Sequence, residues 1–398
     1  MPGCLQTSVV DADAVISLSL EGEIDARDLS FIAAAMPSLR TLDLSRVRIV
    51  PFGDDPADHI PACSFAGSPL TDVKFPLDYP LSIGDMAFMG SDLTLLDLPP
   101  SVCQTGIGAF AGCPRLKEVV LTGKTILGAH AFADCNHLSV LRLNFVDSLP
   151  ASAFSGCGNL KDIEGEDHLR HIGAKAFSAC SALDNFDFGQ RLSYIGDDAF
   201  TNSGLTVADM SPCSSLREIS PWAFSHCSSL SSVILPPALT AVPEGLLFDA
   251  PGLFELSLPA SVSDIADVAL CSASALDSLA LPAGLENIGT LAMNRLAALE
   301  VIDAGKLSAV PSLGDDVWDN VDCPSVRLIA DVTLADAFAA ADQWNAFNIM
   351  VHGSLSSAPA VNGDASVRLR IDGRRLIVSS PAGLKKVSVY DCSGRLLA

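Results

Sequence analysis

Along residues 172–188 the chain reads I-G-A-K-A-F-S-A-C-S-A-L-D-N-F-D-F, two short patterns joined by a turn. The second part, L-x-x-F-x-F, alternates apolar and polar positions, and period-two alternation predicts a strand with one face buried. The A-F-x-x-C part is too short for a stable lone helix. It predicts a tight turn that drops one aromatic and one thiol inward. The aromatic position recurs at Phe65, Phe88, Phe110, Phe132, Phe154, Phe177, Phe200 and Phe224, then continues as Leu247, Leu270 and Met293. Successive positions lie 22 to 24 residues apart. A unit this small cannot bury its own apolar face and must stack on its neighbours.

A sustained period between 20 and 29 residues, with one leucine-type strand per turn, predicts a leucine-rich repeat solenoid. The expected fold is of α/β type: a right-handed superhelix with a parallel sheet on its concave face and short irregular or 3-10 turns on its convex face. Five segments follow. Residues 1–59 hold an N-terminal cap and first repeat, with a strand at Val15–Leu20, a helix at Asp25–Met36 capped by Asp25 or Asp28, and a first L-x-x-L-x-L strand at Leu39–Ser45. Residues 60–311 hold the regular repeats. Gly84, Gly108, Gly128, Gly173, Gly196 and Gly289 precede the aromatic position and suit positive φ; Pro76, Pro99, Pro236, Pro259 and Pro282 end strands. Residues 312–352 read as a C-terminal cap, with a strand at Val326–Ile329, a helix at Asp331–Ala341 capped by Thr333, and Trp344 and Phe347 closing the last apolar layer. Residues 353–365 are a Ser, Ala, Pro and Gly-rich linker. Residues 366–398 predict a partial β-sandwich-like module: a hairpin turning at Asp372-Gly373 and a third strand at Lys386–Tyr390.

Hydropathy adds one question and removes it. The chain is 49% hydrophobic, yet its most apolar window, Ala266–Leu285, is broken by Asp267, Asp277 and Pro282. A spanning helix needs about 20 nearly uninterrupted apolar residues, so the excess belongs to the core. Formal net charge is −23, which repels nucleic acid phosphates and anionic lipid. Nucleic acid is excluded as a partner, and basic protein surfaces and cations are favoured. Cys113, Cys135, Cys157, Cys180 and Cys227 sit three residues after the repeat aromatic. They fit a reduced core ladder of small apolar groups; disulfide pairing is the alternative, and no C-x-x-C metal spacing occurs. Met1–Leu5 carries no basic segment ahead of an apolar run, so no leader is readable there.

In L-x-x-L-x-L the leucines face inward, so the residues between them line the concave sheet. One outward column reads Asp43, Lys74, Asp97, Val120, Arg142, Glu164, Asp187, Asp209, Ile234, Ser257, Ala280 and Asp303; its neighbour contains Asp72, Glu118, Asp162, Asn185, Val207 and Ser232. With strands about 4.8 Å apart, Glu164, Asp187 and Asp209 are expected to form a carboxylate ladder beside Asp162 and Asn185. Each adjacent pair costs roughly 1 kcal/mol of repulsion in a water-like dielectric. Asp162, Glu164, Asn185, Asp187, Asp209, Arg142, Glu118 and Asp97 are the candidate ligand-binding set, for a basic segment of a protein or a cation; a merely solvated face is the alternative. The segment from Ile234 to Ala280 is nearly uncharged. Catalytic motifs are lacking: Gly123-Lys124-Thr125 misses the glycine a phosphate loop needs at Glu118, and the Gly106–Gly112 run sits inside a repeat. His168 and His171 near Glu164 and Glu166 lie in an expanded turn and read as loop polarity rather than metal ligands. No enzyme activity, metal or cofactor is expected, and the chain is expected to be a monomer.

The repeat I-G-x-x-A-F-x-x-C-x-x-L-x-x-L-x-L, from about Ile60 to Leu307, resembles that of BspA-like leucine-rich repeat proteins of gut and oral Bacteroidetes-type bacteria. The stretches Gly22–Leu29 and Met36–Ser45 look like leading segments of that family, and Trp344–Ile349 like its closing segment. The tail V-S-V-Y-D-C-S-G-R-L-L is similar to the first half of a C-terminal sorting domain of type IX secretion. The resemblance implies a cell-surface or secreted, adhesin-like protein that binds host or bacterial macromolecules without catalysis. A structural component of the cell envelope with no discrete ligand is the alternative.

Overall fold

The structure is a computed structural model describing residues 1–352, 368–372 and 375–379. The chain divides into two units, Met1–His352 and Gly353–Ala398.

In the first unit the L-x-x-L-x-L segments form a row of parallel strands, starting at Ser17–Ile24 and Thr41–Ile49 and ending at Arg327–Asp331 and Asn348–His352. The row therefore begins one turn before Leu39–Ser45, at Ser17, and gains a last strand at Asn348 that no leucine pattern marks. Within each sheet the register carries the outward columns from turn to turn: Asp97 faces Val120, then Arg142, then Glu164. The row falls into four sheets: ladder pairing lapses between Asp72–Lys74 and Leu95–Leu98, between Glu255–Ser257 and Ser278–Ala280, and at Asn185–Phe188, where no strand forms between Asp162–Glu164 and Val207–Asp209. There both inward positions hold phenylalanines, Phe186 and Phe188, whose rings pack edge-on against Phe200. Most other turns use the smaller Leu, Ile or Val.

Behind the row runs the aromatic spine. Phe88, Phe110, Phe132 and Phe154 are fully buried, with successive ring centroids 5.3 to 5.4 Å apart and planes within 8°. The stack continues through Phe177 and Phe200 to Phe224. This is offset stacking, worth about 0.5–1.5 kcal/mol per pair beyond area burial. From Phe88 to Phe200 each Phe N–H also donates to the alanine carbonyl one turn on, as from Phe110 to Ala131 at 2.9 Å, and Phe224 donates to Leu246. The repeat cysteines are free and buried. Their thiols donate to the preceding turn's Phe carbonyl, Cys135 to Phe110 and Cys157 to Phe132 both at 3.2 Å.

The glycines before the aromatic need correction. Of the six, only Gly108 has positive φ. At Gly173 a Cβ would lie 2.5 Å from the carbonyl carbon of Pro150 and 2.7 Å from the nitrogen of Ala151. Close approach of adjacent turns, not left-handed backbone, selects glycine there. The left-handed positions lie two residues either side of the aromatic, where Lys175 and Ala179 flank Phe177 at φ 58° and 59°.

A second parallel ladder, absent from the sequence expectation, runs through two-residue strands such as His171–Ile172 and Tyr194–Ile195. The residue after each strand donates its N–H to the ladder carbonyl one turn earlier: Gly106 to Ile83 at 2.7 Å, Gly173 to Leu149 at 2.9 Å, Gly196 to Ile172 at 2.9 Å. Pro61, Pro150 and Pro243 occupy that place in their turns and have no N–H to give. The ladder starts at the first of these turns and is interrupted before the other two, which divides it into three sheets.

Both ends are sealed. The helix Ala26–Ala35 is capped by Asp25 in a capping box with Asp28, and the buried Asp28 also accepts the N–H groups of Gly3 and Leu5. At the far end the helix is shorter than expected, Ala335–Ala340, and Thr333 does not cap it. Thr333 instead donates its N–H and hydroxyl to Asp331. Trp318, Phe338, Trp344 and Phe347 close the apolar layer. Gln343 replaces the missing next turn, accepting from Val317 N–H at 2.9 Å and donating to Gly314 at 2.7 Å.

In the second unit, Arg368–Asp372 pairs antiparallel with Arg375–Ser379, with Asp372 opposite Arg375. The expected linker and the strand at Lys386–Tyr390 lie outside the described residues.

Candidate functional site

The outward columns of the long-strand row are where side chains can vary without disturbing the core. At their centre Arg142 lies between two carboxylates, its Nε 3.0 Å from Glu118 and its Nη1 bonded to Glu164. Those two carboxylates hold its guanidinium above the usual arginine range. Glu164 is thus ion-paired, and the continuous carboxylate ladder expected from Glu164 through Asp187 to Asp209 does not form. Two causes act together: the cation at Arg142 and the lapse in pairing at Asn185–Phe188.

What remains is a split acidic patch. Asp162 stands beside Glu164 on the same strand, and Lys161 next to it bonds Asp184 at 3.0 Å. These residues, with Glu166 and Asn185, line a hollow of about 440 Å³. A second hollow of about 480 Å³ holds Asp187 with Asp167, His168, Gln190 and Arg191. Asp187, Asp162 and Asp97 are exposed, and none of the three side chains makes a hydrogen bond or salt bridge among the described residues. Asp209 lies in the strand Val207–Asp209 and accepts the N–H of Ser211 at 2.9 Å. Asp43 and Asp303 do the same two residues on. At Asp209 and Asp303 this bond falls at the strand's end, whereas Asp43 makes it inside Thr41–Ile49; in all three the side chain has a local backbone partner as well as charging the face.

Glu166 is the residue that column reasoning missed. It follows Gly165, whose φ of 87° starts a short 3-10 turn. Burial raises the Glu166 carboxyl above its usual range, against hydrogen bonds from backbone N–H groups and with help from the charge of Asp187. No change of spacing marks it: Glu164 to Ile172 is eight residues, as are Asp187 to Ile195 and Ile234 to Val242. His168 pairs with Asp167 at 2.9 Å, and His171 stacks on Tyr194. No group of three or more metal-ligating side chains occurs among the described residues. No helix there is long and apolar enough to cross a membrane.

The family described as BspA type Leucine rich repeat region matches this chain over residues 58–146, 110–223, 147–269 and 208–323. Among solved structures, a leucine-rich repeat protein of Bacteroides ovatus superposes at a TM-score of 0.53 with 23% identity, over 85% of this chain and 88% of its own. A leucine rich cell surface protein of Faecalibacterium prausnitzii reaches 0.36 at 18% identity, over 80% and 89% of the two chains. The pneumococcal vaccine antigen PcpA reaches 0.41 at 18% identity, over 85% and 83%. No curated protein matches in sequence.

Proposed function

We propose that this chain, which belongs to the BspA-type leucine-rich repeat family, is a non-enzymatic protein-binding molecule of the bacterial surface. It holds a basic segment of its partner, a host or bacterial surface protein, on the long-strand face. One observation carries this reading. Asp97, Asp162 and Asp187 are exposed and make no ion pair among the described residues, while the two cations named in the outward columns, Lys74 and Arg142, are already engaged by Asp43, Glu118 and Glu164. Unpaired like charges on a rigid sheet raise the free energy of the isolated face and favour a cationic partner. The set that contacts the partner is Asp162, Glu164, Asn185, Asp187 and Asp209, with Glu118, Arg142 and Asp97 at its edge. Adhesin-like attachment at the cell surface or after secretion follows from the family resemblance.

The second reading, an envelope scaffold without discrete ligand, separates cleanly. The purified chain is immobilised and challenged with detergent-free extracts of cell-surface proteins. Saturable capture that Asp162→Asn with Asp187→Asn removes supports attachment through this face. Capture that never saturates, or that ignores the substitutions, supports the scaffold.

A further inference from the structure

The interruption of the second ladder before Pro150 opens the flank of the solenoid. A cleft of about 460 Å³ lies there, lined by Lys124, Ile126, Phe145, Asp147, His171 and Tyr194 among others. On the long-strand face the same turns remain paired, Val140 with Glu118 and with Asp162. In the spine Phe132 and Phe154 stay 5.3 Å apart. The opening is therefore local to this flank. No backbone hydrogen bond joins residues 124–127 to residues 147–150 across it. Donors and acceptors that other turns spend on each other are available here. Beside them lies a flat aromatic pair, His171 on Tyr194, with centroids 4.5 Å apart and planes 10° apart. Ile126 and Phe145, 71% and 61% exposed, add apolar flanks. Lys124 and Asp147 contribute one charge of each sign.

We propose that this cleft is a saccharide-binding site, taking a neutral pyranose ring against its aromatic side chains and the ring's hydroxyls on the unpaired ladder backbone. The volume falls in the range of small-ligand sites. Polarised C–H groups of a sugar face pack against the electron-rich face of an aromatic ring. A hydroxyl both donates and accepts, so one ligand group satisfies either an orphan N–H or an orphan carbonyl. A peptide strand fits less well. It needs roughly 4.8 Å of spacing to each neighbour, whereas these turns stand a single repeat apart at the spine. Balanced charge gives no preference for an ionic ligand. The site is independent of the acidic face and does not require it to bind anything.

Saturation-transfer NMR on the full chain tests the assignment, with maltotriose, cellotriose, mannotriose and chitotriose as probes and an uncharged extended nonapeptide as competitor. Transfer to at least one trisaccharide is expected. Tyr194→Ala and Phe145→Ala are expected to weaken it about tenfold or more, the equivalent of about 1.4 kcal/mol, with unchanged circular dichroism. Asp187→Asn leaves it intact. Pro150→Gly restores the missing donor, closes the ladder and also weakens binding without removing a lining ring. Absence of transfer from all the sugars, transfer indifferent to both aromatic substitutions, or displacement of the sugar by the peptide would each overturn the proposal.

Discussion

Gly173 separates two explanations that the sequence cannot tell apart. If the position demanded left-handed backbone, Gly173→Ala would cost about 1–2 kcal/mol, while Gly173→Asn would be nearly free, since Asn tolerates that region. The structure assigns a different cause. A Cβ on residue 173 would stand 2.5 Å from Pro150 and 2.8 Å from the carbonyl oxygen of Leu149, where carbon contacts settle near 3.5–4.0 Å. The two turns must then part by roughly 1 Å. Overpacking of this kind costs about 1–3 kcal/mol, and straining the Gly173 to Leu149 hydrogen bond of 2.9 Å adds about 1 kcal/mol. Both Gly173→Ala and Gly173→Asn should therefore lose about 2–4 kcal/mol. Lys175, which does carry the left-handed φ of 58°, should accept Gly with a change within about 0.5 kcal/mol, because relief of backbone strain offsets the added freedom of the unfolded chain. Urea denaturation followed by circular dichroism, compared at constant m-value, reads the difference. A Gly173→Asn variant as stable as the parent would refute the close-approach argument.

Other outcomes follow from the same packing. Phe154→Ala removes a fully buried ring stacked on both sides and should cost about 3–5 kcal/mol. Combined with Phe132→Ala it should fall short of additivity by about 0.5–1.5 kcal/mol, because both substitutions remove the same stacked pair; full additivity in denaturation would count against the spine. Glu166→Gln should stabilise the chain at neutral pH. Burial holds the folded carboxyl above its usual range, so the native state binds its proton more tightly and parental stability falls as pH rises through that window. The variant's advantage in Tm should therefore vanish below about pH 4.5, and an advantage that persists there would contradict burial as the cause. Maleimide labelling of the native chain should modify Cys63 and Cys103, which are exposed, and spare Cys113, Cys135, Cys157, Cys180 and Cys227. Burial pushes the Cys157 thiol up to about 12, and rapid modification of Cys157 would show that the ladder opens.

The repeat register was legible because one aromatic per turn and a leucine alternation leave little freedom: Phe65 to Met293 marked the interior spine by spacing alone. The columns Asp97-Val120-Arg142-Glu164 and Asp209-Ile234-Ser257 were legible for the same reason, since parallel pairing in register preserves them. Pairing of Arg142 with Glu118 and Glu164 was not, because column reasoning counts charges and ignores how far a guanidinium reaches. The lapse at Asn185–Phe188 depends on the bulk of two phenylalanines in positions that any apolar residue satisfies by pattern. The second ladder was hidden by its length: strands of two residues have no periodicity to detect. Its interruptions were nonetheless written plainly, as Leu149-Pro150 and Val242-Pro243 where uninterrupted turns carry Gly, Ser or Ala at the second place.

The charge of the long-strand face is the centre of the functional account, and biolayer interferometry on immobilised fifteen-residue peptides probes it most directly. Lysine- and arginine-rich peptides are expected to retain the parent chain, with retention that falls steeply as salt rises. Asp162→Asn with Asp187→Asn and Asp209→Asn should abolish that retention while leaving the thermal unfolding transition in place. Equal retention on neutral peptides, or undiminished retention of the triple variant, would contradict it.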